Sequence, residues 1–356
     1  MSENFKTYTM TAKNVESSTI SSFLLMPETG VSPDFRPGEY LIFELPCGSD
    51  GTAIRREYSI SGLIDGALRV TIKREPAAIS HLPGLGSNYF HDTLNVGSKL
   101  QVAGPYGQFQ LDRGSPRHAV LLSGGVGLTP MVAMARDLSA DGKGFTFIHA
   151  CEDGAVHAMG AEMRALAKAH KSMTTHFCYR LPRHADKPGR DYDSKGFLTA
   201  GTLQGLLPLA DYDFYLCGPG PFMQAIYDIL QNLGVRDDRI RYESFGPATL
   251  LRARASALNL PPPILHAEGD SNAPVVHFAK SGLSVAWDPS LNNLLEFAEE
   301  QGLMPDYSCR AGSCESCKTK VIAGSTEYLF EPFAAPTDGS VLLCCSVPKS
   351  DVTIDL

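Results

Sequence analysis

The 356-residue sequence has one tryptophan, no run of eighteen apolar residues and no tract rich in lysine and arginine. The missing apolar run excludes a membrane-spanning helix. The opening MSENFKTYTM lacks the apolar core of a secretory signal. A cytoplasmic location is therefore expected, where structural disulfides are rare. With no basic tract, and with 31 basic against 39 acidic residues, nucleic acid and anionic membrane are poor partners. A basic protein surface suits a net charge of −8 better. No internal repeat, low-complexity tract or long apolar heptad is present, so nothing in the sequence sets an oligomeric state. Apolar residues make up 43% of the chain, enough for packed cores and too much for a disordered protein. The length predicts two or three domains.

Four zones differ in texture. Residues 1–113 read as short strands, among them YLIFELP, EYSISG, ALRVTIK and KLQVAG, punctuated by glycine and proline as in an antiparallel β-barrel. Residues 114–247 alternate apolar runs such as HAVLLSGG, FTFIHAC and YDFYLCG with helical segments such as TPMVAMARDLSA, VHAMGAEMRALAKAH and PFMQAIYDILQNLG. Such alternation predicts a doubly wound α/β domain on a parallel sheet. Residues 248–274, with a triple proline, read as a linker. Residues 275–356 carry eleven acidic and five basic side chains, a net of −6, so most of the excess negative charge sits at this end.

Nine cysteines in a reducing compartment need a purpose, and five of them fall between Cys309 and Cys345. Cys309, Cys314 and Cys317 are spaced C-x₄-C-x₂-C, with Cys344 and Cys345 further on. This is the plant-type spacing for a [2Fe–2S] cluster, whose two irons take four thiolates. Gly312, with the small Ala311 and Ser313, lets backbone N–H groups approach the sulfides. The competing readings are a structural zinc site, which favours paired C-x₂₋₄-C motifs, and idle buried thiols. The zone resembles a plant-type ferredoxin with an α+β β-grasp fold. That resemblance assigns Cys344 as the fourth ligand, ahead of the closing strand in CCSVPKSDVTI, and leaves Cys345 spare.

Arg56, Tyr58 and Ser59 form R-x-Y-S in a strand-like stretch. Alone this is an ordinary strand with a surface arginine, yet its chemistry suits a flavin. An aromatic ring stacks on the isoalloxazine face, a hydroxyl bonds N5, and an arginine holds a phosphate through two donors. Lys73 follows in TIKRE, and Gly86, Ser87 and Asn88 open a helical segment, where N–H groups and a hydroxyl suit a pyrophosphate. Then comes Gly104-Pro105-Tyr106-Gly107. In this order the pieces resemble the ferredoxin-NADP⁺ reductase superfamily, and RREYSIS, TIKRE and GSNYFHD are similar to the reductase half of flavohaemoglobins. Ile60 and Lys73 join the flavin set on that resemblance. The retained G-P-Y-G favours FAD over the FMN of phthalate-dioxygenase-type reductases, which share this domain order.

No G-x-G-x-x-G is present. Instead Gly124, Gly125, Gly127 and Thr129 lie between a strand and a helix, where they suit a pyrophosphate or serve only as a turn. Cys217-Gly218-Pro219 with Met223 resembles the superfamily's C-G-P-x-x-M, whose cysteine lies beside the nicotinamide. Glu243 and Phe245, in YESFGP, resemble its end segment, whose aromatic packs near the flavin. Glu152 and Asp153 would repel a 2′-phosphate and favour NADH, while Arg180 and Arg183 could bind one and admit NADPH.

The resemblance spans the chain and implies an NAD(P)H-dependent flavin iron–sulfur oxidoreductase. Electrons pass from NADH to flavin, then to [2Fe–2S], then to an acceptor. Ser59, Cys217 and Glu243 are the expected catalytic residues. Neither a globin-like segment ahead of the flavin zone nor the Rieske pattern C-x-H…C-x-x-H is seen. The expected acceptor is therefore a separate protein with a basic docking surface. The oxygenase component of a Rieske-type system leads, with a hybrid-cluster protein or a haem monooxygenase as alternatives. A redox-sensing module with little turnover is the rival of another class.

Overall fold

The computed structural model describes residues 5–48, 53–76, 84–245, 273–289, 291–303, 305, 307, 312, 315, 317–330, 332 and 335–356, with Ser244 described by its backbone alone. The chain divides into two compact units, Met1–Leu251 and Arg252–Leu356. Among the described residues no helix is long and apolar enough to cross a membrane.

The first unit opens with a closed antiparallel barrel. Its strands are β1 (Lys6–Val15), β2 (Ile20–Pro27), β3 (Tyr40–Leu45), β4 (Ile54–Ile64), β5 (Ala67–Lys73) and β6 (Lys99–Tyr106), in the order β1-β2-β5-β4-β3-β6. Closure removes free sheet edges. Among the described residues of this part there is one helix, α1 (Leu85–Asp92), which plugs the barrel. Its buried Phe90 lies edge-on to Phe23 and Phe43, each with centroids 5.1 Å away, and to Tyr58 at 5.3 Å. That packing holds the start of α1 beside strand β4.

The second part of the unit is a six-stranded parallel sheet. In chain order it comprises β7 (His118–Gly124), α2 (Leu128–Ala140), β8 (Phe145–Cys151), α3 (Gly160–Ala169), β9 (Met173–Tyr179), β10 (Ser194–Lys195), α4 (Ala200–Leu206), β11 (Tyr212–Gly218), α5 (Gly220–Asn232) and β12 (Ile240–Ser244). The strand order is β10-β9-β8-β7-β11-β12. Strands β7 and β11 are almost wholly buried along their length, which explains why they read as continuous apolar runs. The order reverses between β7 and β11, and ligands of open α/β sheets bind outside the carboxyl ends of the strands at such a point.

The second unit holds a mixed sheet of β13 (Val275–Phe278), β14 (Leu283–Ala286), β15 (Lys318–Ala323), β17 (Ser340–Leu342) and β19 (Val352–Ile354), ordered β14-β13-β19-β15-β17. Strands β16 (Thr326–Tyr328) and β18 (Ser346–Pro348) form a separate pair. First and last strands run parallel at the centre, and helix α6 (Leu294–Glu300) buries Leu294, Leu295, Phe297 and Ala298. This is the β-grasp arrangement expected from the sequence. Residues 248–272 of the linker lie outside the described residues.

Candidate functional site

On the barrel side, β4 carries Arg56, Tyr58, Ser59 and Ile60, held by antiparallel pairing with β3 (Tyr40 opposite Ser59, Phe43 opposite Arg56). Ile60 is wholly buried in the barrel core and Ser59 is nearly so. Tyr58 is packed against Phe43 and Phe90, and burial pushes its hydroxyl well above the usual range. Gly86, in the first turn of α1, meets this strand. A Cβ there would stand 2.7 Å from Arg56 Cγ and 3.0 Å from the Tyr58 hydroxyl. Only glycine lets the helix start come so close to the R-x-Y-S segment. Three sequence-expected residues are thereby gathered around first-turn N–H groups, which a helix leaves without intrahelical partners.

Two neighbours do other work. Ser87 Oγ donates to Gly84 O (3.2 Å) and accepts from Glu75 N–H (3.3 Å), while Asn88 Nδ2 donates to Glu75 O (3.0 Å). Both side chains close the connection between β5 and α1. Asn88 Oδ1 is buried without a hydrogen-bond partner, a polar atom that fits a site built for a ligand. Lys73 is half-exposed and pairs with Glu75 at 3.0 Å.

On the other side, the two glycine turns meet at the carboxyl ends of β7 and β11. A Cβ on Gly127 would overlap the Cys217 carbonyl and stand 2.6 Å from Gly218 N. Gly124 and Gly218 each leave room for the Phe222 ring, 2.8 Å from where their Cβ atoms would be, and Pro219 closes on Gly124. Gly125 differs. It has φ +53° and nothing within 4 Å of its Cβ position, so its backbone faces open space, as a phosphate-approaching turn requires. Thr129 is buried, its hydroxyl donating to Val126 O (3.2 Å). It ties the turn to the first turn of α2.

Strand pairing sets Cys217 beside Glu243 and Gly218 beside Ser244. Cys217 is fully buried, and burial lifts its thiol well above the ordinary range, with the Glu243 charge adding to the effect. Glu243 Oε2 is enclosed with no hydrogen-bond partner. Burial, then the negative charge of Glu57 on β4, raises this carboxyl from 4.5 to about 8. Glu57, a neighbour of Arg56 and Tyr58 that sequence reasoning passed over, thus lies within electrostatic reach of Glu243 on β12. Its only sequence signal was its place inside R-x-Y-S. Phe245 is 38% exposed.

The acidic and basic residues expected to choose the nicotinamide are committed to one another. Arg180, just past β9, donates to both carboxylate oxygens of Glu152, just past β8 (2.6 and 2.7 Å). Arg183 lies 3.2 Å from Asp186 and 3.7 Å from Asp153.

In the second unit, Cys317 and Cys344 are buried within one apolar cluster, and the Gly312 N–H donates to Cys344 Sγ (3.3 Å). Gly312 has φ +67°, and a Cβ there would stand 3.0 Å from Cys345 Sγ. Two thiols in an apolar shell, one accepting a backbone N–H, suit a cluster whose sulfurs are tuned by such bonds. Cys309 and Cys314 lie outside the described residues.

Three family models match in sequence order. The oxidoreductase FAD-binding domain covers residues 7–111, the oxidoreductase NAD-binding domain 121–228, and the 2Fe-2S iron-sulfur cluster binding domain 276–349. A flavohemoprotein of Chromobacterium violaceum is 41% identical over 245 residues, 68% of this chain and 61% of that protein. One of Rhizobium meliloti is 38% identical over 238 residues, 66% and 59% of the two chains. The chain therefore spans about three fifths of the length of these relatives. The flavohem-like FAD/NAD-binding domain of nitric oxide dioxygenase from Vibrio cholerae aligns over 68% of this chain and 99% of its own, with 34% identity and a TM-score of 0.61. Phthalate dioxygenase reductase shares the fold over 99% of this chain and 98% of its own, at 23% identity and a TM-score of 0.57. The chain belongs to the ferredoxin-NADP⁺ reductase superfamily, with FAD-binding, NAD-binding and [2Fe–2S] domains in one polypeptide.

Proposed function

We propose that this protein is an NADH-dependent reductase that passes electrons through FAD and [2Fe–2S] to a separate protein, the oxygenase component of a Rieske-type system. The observation that carries the reading is the closure of the two glycine turns at the switch point. There the β11–β12 pairing sets Cys217 beside Glu243, and Glu243 feels the charge of Glu57 on the R-x-Y-S strand. A bound flavin and cluster would supply the exchange between two-electron and one-electron transfer, chemistry that no side chain offers.

The chain's own residues bind and orient. Arg56 and the first-turn N–H groups at Gly86–Asn88 hold phosphate, while Tyr58 and Phe245 bound the ring, and Ile60, its side chain in the barrel core, offers only its backbone. Ser59 offers N5 a hydroxyl. Lys73 supplies positive charge beside the phosphates. Gly124, Gly125, Gly127 and Thr129 shape the dinucleotide turn. Gly218 and Pro219, packed against Phe222 and Gly124, hold the Cys217 end of β11 in place for the nicotinamide. Glu243, kept protonated at neutral pH, can donate a hydrogen bond without placing a negative charge beside the dinucleotide. Cys309, Cys314, Cys317 and Cys344 hold the irons.

The likeness in fold to phthalate dioxygenase reductase and to the ferredoxin reductase in carbazole 1,9a-dioxygenase supports an oxygenase as acceptor. A haem monooxygenase is the second reading, supported by likeness to an intact type IV self-sufficient cytochrome P450 over 99% of this chain. Cys47, Cys151, Cys178, Cys217 and Cys345 are free thiols, which suits a reducing cytoplasm.

Cys314→Ser tests the order of transfer. The variant should lose its cluster and its electron transfer to a protein acceptor, yet keep NADH-to-ferricyanide turnover. Loss of flavin reduction in that variant would overturn the modular path. Capture by the reduced protein of an acceptor with a Rieske signature supports the oxygenase; a haem Soret band supports the second reading.

A further inference from the structure

Arg69, on β5, is 5% exposed yet charged, and a buried cation needs full partnering. Its Nε donates to Ser61 Oγ (3.2 Å) and its Nη2 to Ser61 O (2.8 Å). The other side of the guanidinium grips Glu162 through Nη1 to Oε2 (2.7 Å) and Nη2 to Oε1 (3.1 Å). Glu162, from the first turn of α3, also accepts from Arg136 Nε on α2 (2.8 Å). Gly62, at an irregularity in the β4–β5 register, makes the room. A Cβ there would stand 3.4 Å from Arg69 Nη2 and 3.5 Å from Arg136 Cδ. Burial pushes the Glu162 carboxyl up, but the two arginines outweigh it and hold it below the usual range. The group is therefore ionised at neutral pH.

The placement gives this triad leverage. Ser61 is two residues beyond Ser59 on the flavin strand. Helix α2 begins directly after the Gly125–Gly127 turn, and Arg136 stands eight residues along it, roughly 12 Å at 1.5 Å per residue. The triad thus ties the strand of the flavin residues to the helix that carries the dinucleotide turn.

We infer that Arg69, Glu162 and Arg136 are positioning residues that fix the registration of the NAD-binding domain on the barrel, and with it the distance over which hydride passes. This rests on the reading that NADH reduces a flavin held by the barrel. A misplacement of about 1 Å, even from a change far from the chemistry, can cost on the order of a hundredfold in rate.

The test is Glu162→Gln in the full-length holoprotein, followed by stopped-flow flavin reduction over a range of NADH concentrations. Amide hydrogen exchange is measured on β5, α2 and α3. The limiting reduction rate should fall at least tenfold. The NADH concentration for half-saturation should stay within about threefold and FAD content should hold, because each ligand's own domain is intact. Exchange should rise at β5 and α3. A limiting rate within twofold of the parent, whether or not exchange rises, would make the triad a stabilising contact only and overturn the inference. If Glu162→Gln cannot be obtained loaded with FAD, Arg136→Gln removes only the outer arm and should lower the limiting rate about two- to fivefold. An unchanged rate there also overturns it. A parent protein whose flavin NADH does not reduce would instead defeat the underlying reading.

Discussion

At the scale of single residues, Glu243 is the group most altered by its surroundings. Its carboxyl is raised from 4.5 to about 8 by burial and by Glu57. Between those values the folded chain keeps the proton and the unfolded chain releases it. The stability this group contributes is therefore full below about 4.5 and lost as pH rises to about 8. Glu243→Gln, a neutral isostere, should melt higher than the parent at about pH 8 and show a smaller fall in Tm between about pH 5 and 8. Parallel pH profiles of Tm in the two proteins would show that Glu243 ionises normally. The Glu152–Arg180 pair makes a second prediction. An arginine fork filled by a carboxylate cannot also take a 2′-phosphate, and a half-exposed pair is worth only about 0–1 kcal/mol. NADH should give the higher kcat/KM. Glu152→Gln, by freeing Arg180, should narrow the preference about tenfold, equivalent to about 1.4 kcal/mol. A parent that favours NADPH would mean that the pair opens for the phosphate.

At the scale of elements, glycine is what the sequence shows best. The turn after HAVLLSGG was legible because parallel strands are buried on both faces and end abruptly at a glycine turn. Gly127 then proves to be the close-approach position and Gly125 the open one, a distinction that spacing alone could not make. Gly127→Ala should force β7 away from β11, at a cost of about 1–3 kcal/mol in stability, and weaken NADH saturation. Gly205→Ala is the control. It sits inside α4 with nothing within 4 Å of its Cβ position, so it should stabilise by about 0.4–1 kcal/mol and leave KM alone. Thermal melts and KM for NADH separate the two. The start of α3 was less legible. VHAMGAEMRALAKAH reads as one helix, but Met159 takes φ +56° and the helix begins at Gly160. His157 is instead held in the preceding loop by stacking on His149 (4.9 Å) and edge contact with Phe177 (4.6 Å). Tertiary packing overrode local propensity. The Arg69–Glu162 pair left no trace at all, because partners 93 positions apart make no local pattern.

At the scale of the whole molecule, the governing feature is the uneven charge. The last 82 residues carry a net −6 and the rest of the chain −2. Structure sorts the acidic residues named by the cluster segment. Asp338 is partly neutralised by Lys318 at 2.8 Å. Glu327 is exposed, Glu315 has a left-handed backbone at φ +60°, two residues before Cys317, and Asp306 and Glu331 lie outside the described residues. Glu327 therefore offers an exposed carboxylate near the cluster segment, while half-buried Glu315 shares the field of Lys318 with Asp338. An acceptor with a basic surface would gain chiefly in encounter rate, and salt screens that gain over a Debye length of about 8 Å at 0.15 M. Electron transfer to the natural acceptor should slow as ionic strength rises from about 0.02 to about 0.3 M. Flavin reduction by NADH should hardly change over the same range, because a bound cofactor has no encounter to steer. Glu315→Lys should reproduce at low salt part of the slowing that salt causes in the parent, without altering NADH-to-ferricyanide turnover. Stopped-flow transfer to the acceptor, followed across the salt series in both proteins, decides the matter. A rate indifferent both to salt and to Glu315→Lys would mean that the charge serves only to keep a small domain soluble.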